Sequence, residues 1–166
     1  MFMSERVIKR KARPGEGLLL SELVFRSKSH WSYTREFMTA CRAELKLSES
    51  DISNPARHYV VAESNETTIE CNPLERLLPD KYELEALFVE PIYIGQGVGR
   101  ALIEHAKSHA RCLGAASMQI QGDPNAMAFY LAAGGIQIGE RDSESIPGRN
   151  SCLGISFRSC ENTVLW

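Results

Sequence analysis

Leu84-Glu85-Ala86-Leu87-Phe88-Val89-Glu90-Pro91-Ile92-Tyr93-Ile94-Gly95-Gln96-Gly97-Val98-Gly99-Arg100-Ala101-Leu102-Ile103 decides how this chain is read. The first residues have the aromatic and aliphatic content of a strand. Glycines then alternate at 95, 97 and 99, and a helical apolar spacing begins as they end. A strand that enters a helix through a glycine-dense turn aims backbone N–H groups at open space. Such a space suits an anion, and a phosphate above all.

Working outward, Tyr82 to Val89 is the strongest strand and Ala101 to Leu113 the strongest helix. Val98, Leu102, Ala106, His109 or Ala110, and Leu113 form its apolar stripe, and Gly114 suits its C-terminal turn. Ala116 to Gln121 is the next strand. Asp123-Pro124 then starts a helix, with Asp as N-cap and Pro in the first turn. It carries Asn125, Met127, Ala128, Phe129, Tyr130 and Leu131 and stops at Gly134-Gly135. Ile136 to Arg141 and Ser151 to Phe157 are two closing strands, joined by a loop holding Pro147-Gly148.

Upstream, residues 5–11 read as a first strand, and Arg13-Pro14-Gly15-Glu16 as a turn. One helix starts at Gly17 and is broken by Ser27-Lys28-Ser29-His30-Trp31-Ser32, and another runs from about Thr34 to Leu45. Trp31 and Tyr33 sit in the joint between them, as a cap on the core or as lining of a small-molecule pocket. Ser48 to Pro55 reads as a loop. His58 to Ala62 and Thr67 to Cys71 pair across an Asn65-Glu66 hairpin. Asn72-Pro73 marks the returning strand as interrupted or bulged. The order mixes strands and helices, with an antiparallel run followed by a β-α-β crossover.

The bulk numbers set limits. The chain has 166 residues, enough for one domain, taken here as 1–166 without linker or repeat. It is 43% apolar and 24% charged, a composition that can bury a core. A net charge of −2 argues against a nucleic-acid binder. The basic run Arg6, Lys9, Arg10, Lys11 and Arg13 reads as a solvated strand and turn. No apolar run has transmembrane length and no leader is evident, so a cytoplasmic protein is expected. The cysteines are Cys41, Cys71, Cys112, Cys152 and Cys160, an odd number without C-x-x-C spacing. That favours free thiols over a disulfide framework or a zinc site. Cys112 and Cys152 read as core residues. His30, His58, His105 and His109 lack a metal-ligand context, and no metal is expected.

Two common phosphate-loop patterns are excluded. A P-loop ends in Gly-Lys-Ser/Thr, whereas Gly99 is followed by Arg100-Ala101. A dinucleotide fingerprint fails in both registers, since Arg100 and Leu102 fall where glycine is needed.

The sequence resembles the GCN5-related N-acetyltransferase (GNAT) superfamily over about residues 5–158, most densely from Glu83 to Ile138. Two motifs carry the resemblance. Ile94-Gly95-Gln96-Gly97-Val98-Gly99 matches the acetyl-coenzyme A loop, with Ile94 standing where the pattern has Arg or Gln. Asp123-Pro124-Asn125-Ala126-Met127-Ala128-Phe129-Tyr130 matches the Asn and Phe-Tyr signature downstream.

The resemblance implies an α+β fold: a mostly antiparallel sheet of six to seven strands, splayed between the fourth and fifth, with about four flanking helices. It implies acetyl-coenzyme A as cosubstrate, held by backbone groups of Leu87, Phe88 and Val89, by Gln96, Gly97, Val98, Gly99 and Arg100, and by Asn125 and Tyr130. It further implies direct transfer to an amine in a ternary complex, with Tyr130 protonating the leaving thiolate.

The acceptor amine must lose a proton first, and a carboxylate on the strand beside the cleft suits this. Glu83 and Glu85 share a strand face. Glu85, nearer the loop, is the expected base, acting directly or through a water, with Glu83 the alternative; Glu83 is also a substrate-side candidate with Trp31 and Tyr33. Arg35, Glu36, Glu44 and the loop at 142–150 are further acceptor-side candidates. The expected acceptor is a small-molecule or peptide amine, with no membrane partner, and the final strand pair is a candidate homodimer edge. Two other readings share the fold: an acyl-coenzyme A sensor without turnover, and an acetylating toxin acting on charged tRNA.

Overall fold

The computed structural model describes residues 7–85, 87–122, 124–141 and 152–158. Asp123, the loop at 142–150 and the first residues of the expected 5–11 strand therefore lie outside the described residues.

The strands are β1 (Ile8–Lys11), β2 (Arg57–Ser64), β3 (Thr67–Leu78), β4 (Lys81–Leu84), β5 (Phe88–Val89), β6 (Ser117–Gly122), β7 (Ile136–Arg141) and β8 (Cys152–Arg158). They form one eight-stranded sheet in the order β1-β2-β3-β4-β6-β8-β7, with β5 also paired to β3. Every ladder is antiparallel except β4 with β6. Because β5 extends β4, the sheet is seven strands wide. Among the described residues five α-helices accompany it: α1 (Gly17–Ser29), α2 (Arg35–Cys41), α3 (Glu49–Ser53), α4 (Val98–Cys112) and α5 (Met127–Ala132). This is the mixed α+β architecture expected.

Each face of the sheet buries its own core. On one face, Leu74, Tyr82, Leu84, Met118 and Ile120 pack under Ile103, Ala106 and Ala110 of α4 and Tyr130 of α5. On the other, Tyr59, Val61 and Cys71 pack against Leu20 and Leu23 of α1 and Ile52 of α3. Strand alternation sorts the residues this way. Even-numbered positions of β4 and β6 meet α4, and the odd ones, including Glu83 and Gln119, face away from it.

Several local departures have physical causes. The stretch 48–55, read as a loop, holds α3, nucleated by a capping box in which Ser48 and Asp51 exchange side-chain and backbone hydrogen bonds. The helix expected to reach Leu45 ends at Cys41 and continues as turns. Cys112 is exposed instead of buried, because it falls off the Leu102, Ala106, Ala110 stripe of α4.

The strand expected from Tyr82 to Val89 is broken in two. The β3–β4 register pairs Leu74 with Leu84, whereas β3–β5 pairs Cys71 with Phe88, so β4–β5 carries one extra residue between them. Pro73 sits opposite, and its carbonyl accepts the Glu85 N–H at 3.0 Å. Its donor-less nitrogen thus faces the bulge, the place where a central strand tolerates proline.

Candidate functional site

The bulge creates the cleft. Parallel pairing of β4 with β6 runs from Lys81↔Ser117 to Leu84↔Ile120 and then stops. Beyond that rung β6 stays with β8, through Gly122↔Leu153, while β5 stays with β3. The two strands part, leaving an opening between Leu87–Val89 and Gln121–Gly122.

The glycine loop enters from the β5 side. Pro91–Tyr93 form a 3-10 turn, and Gly95 and Gly97 follow with φ of +81° and +82°. That conformation favours glycine, and a Cβ built on either would meet nothing within 4 Å, so the loop faces open space. Gly97 caps α4 without a side-chain hydrogen bond. The first-turn N–H groups of Val98, Gly99 and Arg100 have no intrahelical acceptor and carry the positive end of the helix dipole. A pyrophosphate fits this donor set. The Gln96 side chain donates to Ile92 O at 2.6 Å, and Arg100 reaches Ala132 O at 2.9 Å, so these two residues turn their side chains to protein. Ile94 docks with Ala62, Val89 and Leu102.

Gly99 has a different role from the other two. It lies inside α4, and a Cβ there would meet the Phe129 ring at 3.4 Å. Gly122, the last residue of β6, likewise makes room for Tyr130, whose ring carbon would lie 2.9 Å from an added Cβ. These close approaches dock α5 on both α4 and β6, so the glycine loop and the Asn-to-Tyr segment are fixed to one another. Tyr130 is 3% exposed, with Phe129 edge-on at 5.2 Å.

On the β5 wall, the Val89 N–H is taken by the Ser27 hydroxyl of α1 at 3.0 Å. Phe88 packs into the α1 cluster and Leu87 against the core beneath α4. Arg26 holds Glu90 at 2.8 Å, tying the start of the loop to α1. Sequence reads Ser27 as the start of the break after the first helix, whereas α1 runs on to Ser29 and buries Ser27 against β5.

Across the mouth, Asn125 Nδ2 donates to the Tyr33 hydroxyl at 3.1 Å. Tyr33 stacks on Phe37 at 4.5 Å, with Lys28 Nζ 4.8 Å from its ring centroid. The structure therefore brings together Tyr33 and Asn125, residues 92 apart in the chain. Trp31 instead meets His30 edge-on at 5.2 Å. Arg35, Glu36 and Glu44 are exposed on and after α2.

Glu83 and Glu85 share the face opposite α4, as strand alternation predicts. Burial pushes the Glu85 carboxyl above its ordinary range; Arg57 opposes this, and the charges of Glu75, Glu83 and Asp51 reinforce it. Glu83 accepts from Gln119 and Gln121 of β6, both at 2.7 Å. Neither glutamine was anticipated, because only the β4–β6 register reveals the contact. Among the described residues no group of three or more His, Cys, Asp or Glu is placed to hold a metal ion. No described helix is long and apolar enough to cross a membrane.

Comparison with known proteins gives consistent results. The family model described as acetyltransferase (GNAT) family matches residues 23–134. The chain is 32% identical over 95 residues to the N-alpha-acetyltransferase RimI of Mycobacterium tuberculosis, covering 55% of this chain and 60% of that protein. The fold is similar to the PaiA N-acetyltransferase of Thermoplasma acidophilum, solved in complex with coenzyme A: TM-score 0.76, 19% identity, 93% of this chain and 99% of that one. It is also similar to the ribosomal-protein-S18-alanine N-acetyltransferase of Escherichia coli, with TM-score 0.71, 17% identity, and coverage of 97% and 99%.

Proposed function

Because the chain belongs to the acetyltransferase (GNAT) family, we propose that it transfers the acetyl group of acetyl-coenzyme A to a primary amine in a ternary complex. The observation that carries the reading is the parting of β4 from β6 after Leu84 and Ile120, with the open glycine turn on one wall. The acceptor is a small-molecule or peptide amine. Spermidine and a protein N-terminus are the first to try, since a spermidine acetyltransferase and the alanine N-acetyltransferase share the fold.

Acetyl-coenzyme A supplies an acetyl thioester. Backbone N–H groups of Gly97 to Arg100 hold its pyrophosphate, the Gln96 N–H being given to the Tyr93 carbonyl at 3.4 Å. Groups facing the cleft at Leu87 to Val89 and the Asn125 amide meet its pantetheine, with the Val89 N–H already engaged by Ser27. Glu85 takes a proton from the acceptor ammonium. Burial raises its affinity for protons, which makes it a stronger base than a solvated carboxylate. The freed nitrogen lone pair forms the N–C bond as the C–S bond breaks, Tyr130 gives the leaving sulfur its proton, and that proton is replaced from the nitrogen. Tyr33, Trp31 and Glu83 line the acceptor side.

We also place a homodimer contact at the β7 edge, where Ile136 and Ile138 are exposed. The free thiols of Cys41, Cys71 and Cys112 suit a cytoplasmic setting.

The test follows thiol release from acetyl-coenzyme A with spermidine and with an alanine-terminated peptide. Saturable release that depends on both substrates supports the reading. Tight binding without release for any amine, and no effect of Tyr130→Phe, would favour an acyl-coenzyme A-binding module.

A further inference from the structure

Two carboxylates on one strand face have unlike surroundings. Both oxygens of Glu83 are held: Oε2 accepts from Gln119 Nε2 and Oε1 from Gln121 Nε2, each at 2.7 Å. Register explains the grip. Gln119 lies opposite Glu83 in the parallel ladder, and Gln121 is next along the same face of β6, one residue past the last rung. Glu85 accepts no side-chain hydrogen bond among the described residues. The ionisable groups coupled to it are Arg57 and Tyr59 of β2, Glu75 and Cys71 of β3, Glu83 of β4 and Asp51 of α3.

Residues two apart on a strand are separated by only about 7 Å along the chain, within reach of two glutamate arms. An unheld Glu83 can therefore swing onto Glu85. Carboxyls that close on each other share a proton and titrate as a pair. A shared proton would blur the one group positioned to accept a proton from the acceptor.

We propose that Gln119 and Gln121 are positioning residues: by clasping both oxygens of Glu83 they keep that carboxylate turned to β6 and leave Glu85 as a separate proton acceptor. The catalytic consequence rests on Glu85 acting as the base, but the clasp itself does not. The Gln121 contact spans the point where β4 and β6 part, so the same hydrogen bond also fixes where the cleft begins.

The test is a carboxyl-carbon NMR titration of Glu85 in the full chain, comparing wild type, Glu83→Gln, the Gln119→Leu/Gln121→Leu double variant and the triple variant. In Glu83→Gln the Glu85 midpoint falls, because a like charge is lost. In the double variant it rises by about half a unit or more and the curve broadens into two steps, as the freed Glu83 shares the proton. The triple variant returns to the Glu83→Gln midpoint, an outcome that general destabilisation does not produce. An unchanged midpoint in the double variant, or a triple variant that behaves like the double, overturns the proposal. If the double variant does not fold, Gln121→Leu alone is read in the same way. The acid limb of kcat/KM moves in the same order. If Glu85→Gln keeps full turnover while the NMR cycle behaves as stated, the base assignment fails and the clasp stands.

Discussion

The two walls of the cleft are built on different principles. The wall formed by the glycine loop and the start of α4 presents backbone: Gly95 and Gly97 open the space, and first-turn N–H groups fill the donor role. The wall formed by β4 and β6 presents side chains whose properties depend on their neighbours: Glu85 raised by burial, Glu83 gripped by two amides. A backbone wall tolerates side-chain replacement, and Ile94 in place of Arg or Gln illustrates it by docking in the core. A side-chain wall does not, because its chemistry lies in particular atoms.

The largest effect that can break this contrast is on the side-chain wall. Glu85→Gln is expected to lower kcat by about 10² or more while leaving coenzyme A affinity unchanged, as steady-state kinetics and calorimetry will show. In the wild type, activity falls as pH drops and Glu85 takes up its proton. An undiminished kcat would remove the acceptor wall from the account.

Glu70 sharpens the comparison, since it is a carboxyl sealed from solvent beneath α4. It is 0% exposed, neither oxygen has a hydrogen-bond partner among the described residues, and burial pushes its pKa from 4.5 to about 8, with Lys9 opposing. The unfolded chain releases this proton first. Stability is therefore full below about 4.5 and is lost as pH rises to about 8. The loss amounts to several kcal/mol, about 1.4 per pH unit. Glu70→Gln is expected to flatten this slope in denaturant melts between those limits. A slope equal to that of the wild type would contradict the buried, unpaired state.

On the backbone wall the expected effects are smaller. Gly97→Ala places a Cβ in the left-handed region at a cost of about 1–2 kcal/mol, so coenzyme A binding weakens about tenfold. The smallest effect is at Ile94. Ile94→Gln restores the side chain of the family pattern and is expected to change affinity by less than about threefold, an effect of one exposed hydrogen bond. A gain of a hundredfold would show that the loop depends on that side chain after all.

The same contrast explains what could be read from sequence. Glycine spacing and the Asn125 to Tyr130 segment are local, and local patterns survive in the linear chain. So do the apolar stripe of α4 and the shared face of Glu83 and Glu85. The Gln119–Glu83–Gln121 clasp spans 36 and 38 residues and needs the parallel register. The Tyr33–Asn125 contact spans 92. Ser27 acts on a strand 62 residues away. The packing roles of Gly99, read from sequence only as part of the loop, and of Gly122 are hidden for the same reason, because a glycine needed for close packing looks like any other until its neighbour is known. The break between β4 and β5 was legible only indirectly, through Pro73 on the opposing strand.

The central claim is that acetyl-coenzyme A lies in the gap where β4 and β6 part, with its pyrophosphate on the backbone of the loop. Backbone amide NMR during a titration with acetyl-coenzyme A tests this directly. The account predicts saturable shifts concentrated at Gln96 to Arg100, with a second group at Leu87 and Gln121–Gly122. Shifts confined to surfaces remote from both groups, or no saturable change at all, would contradict it.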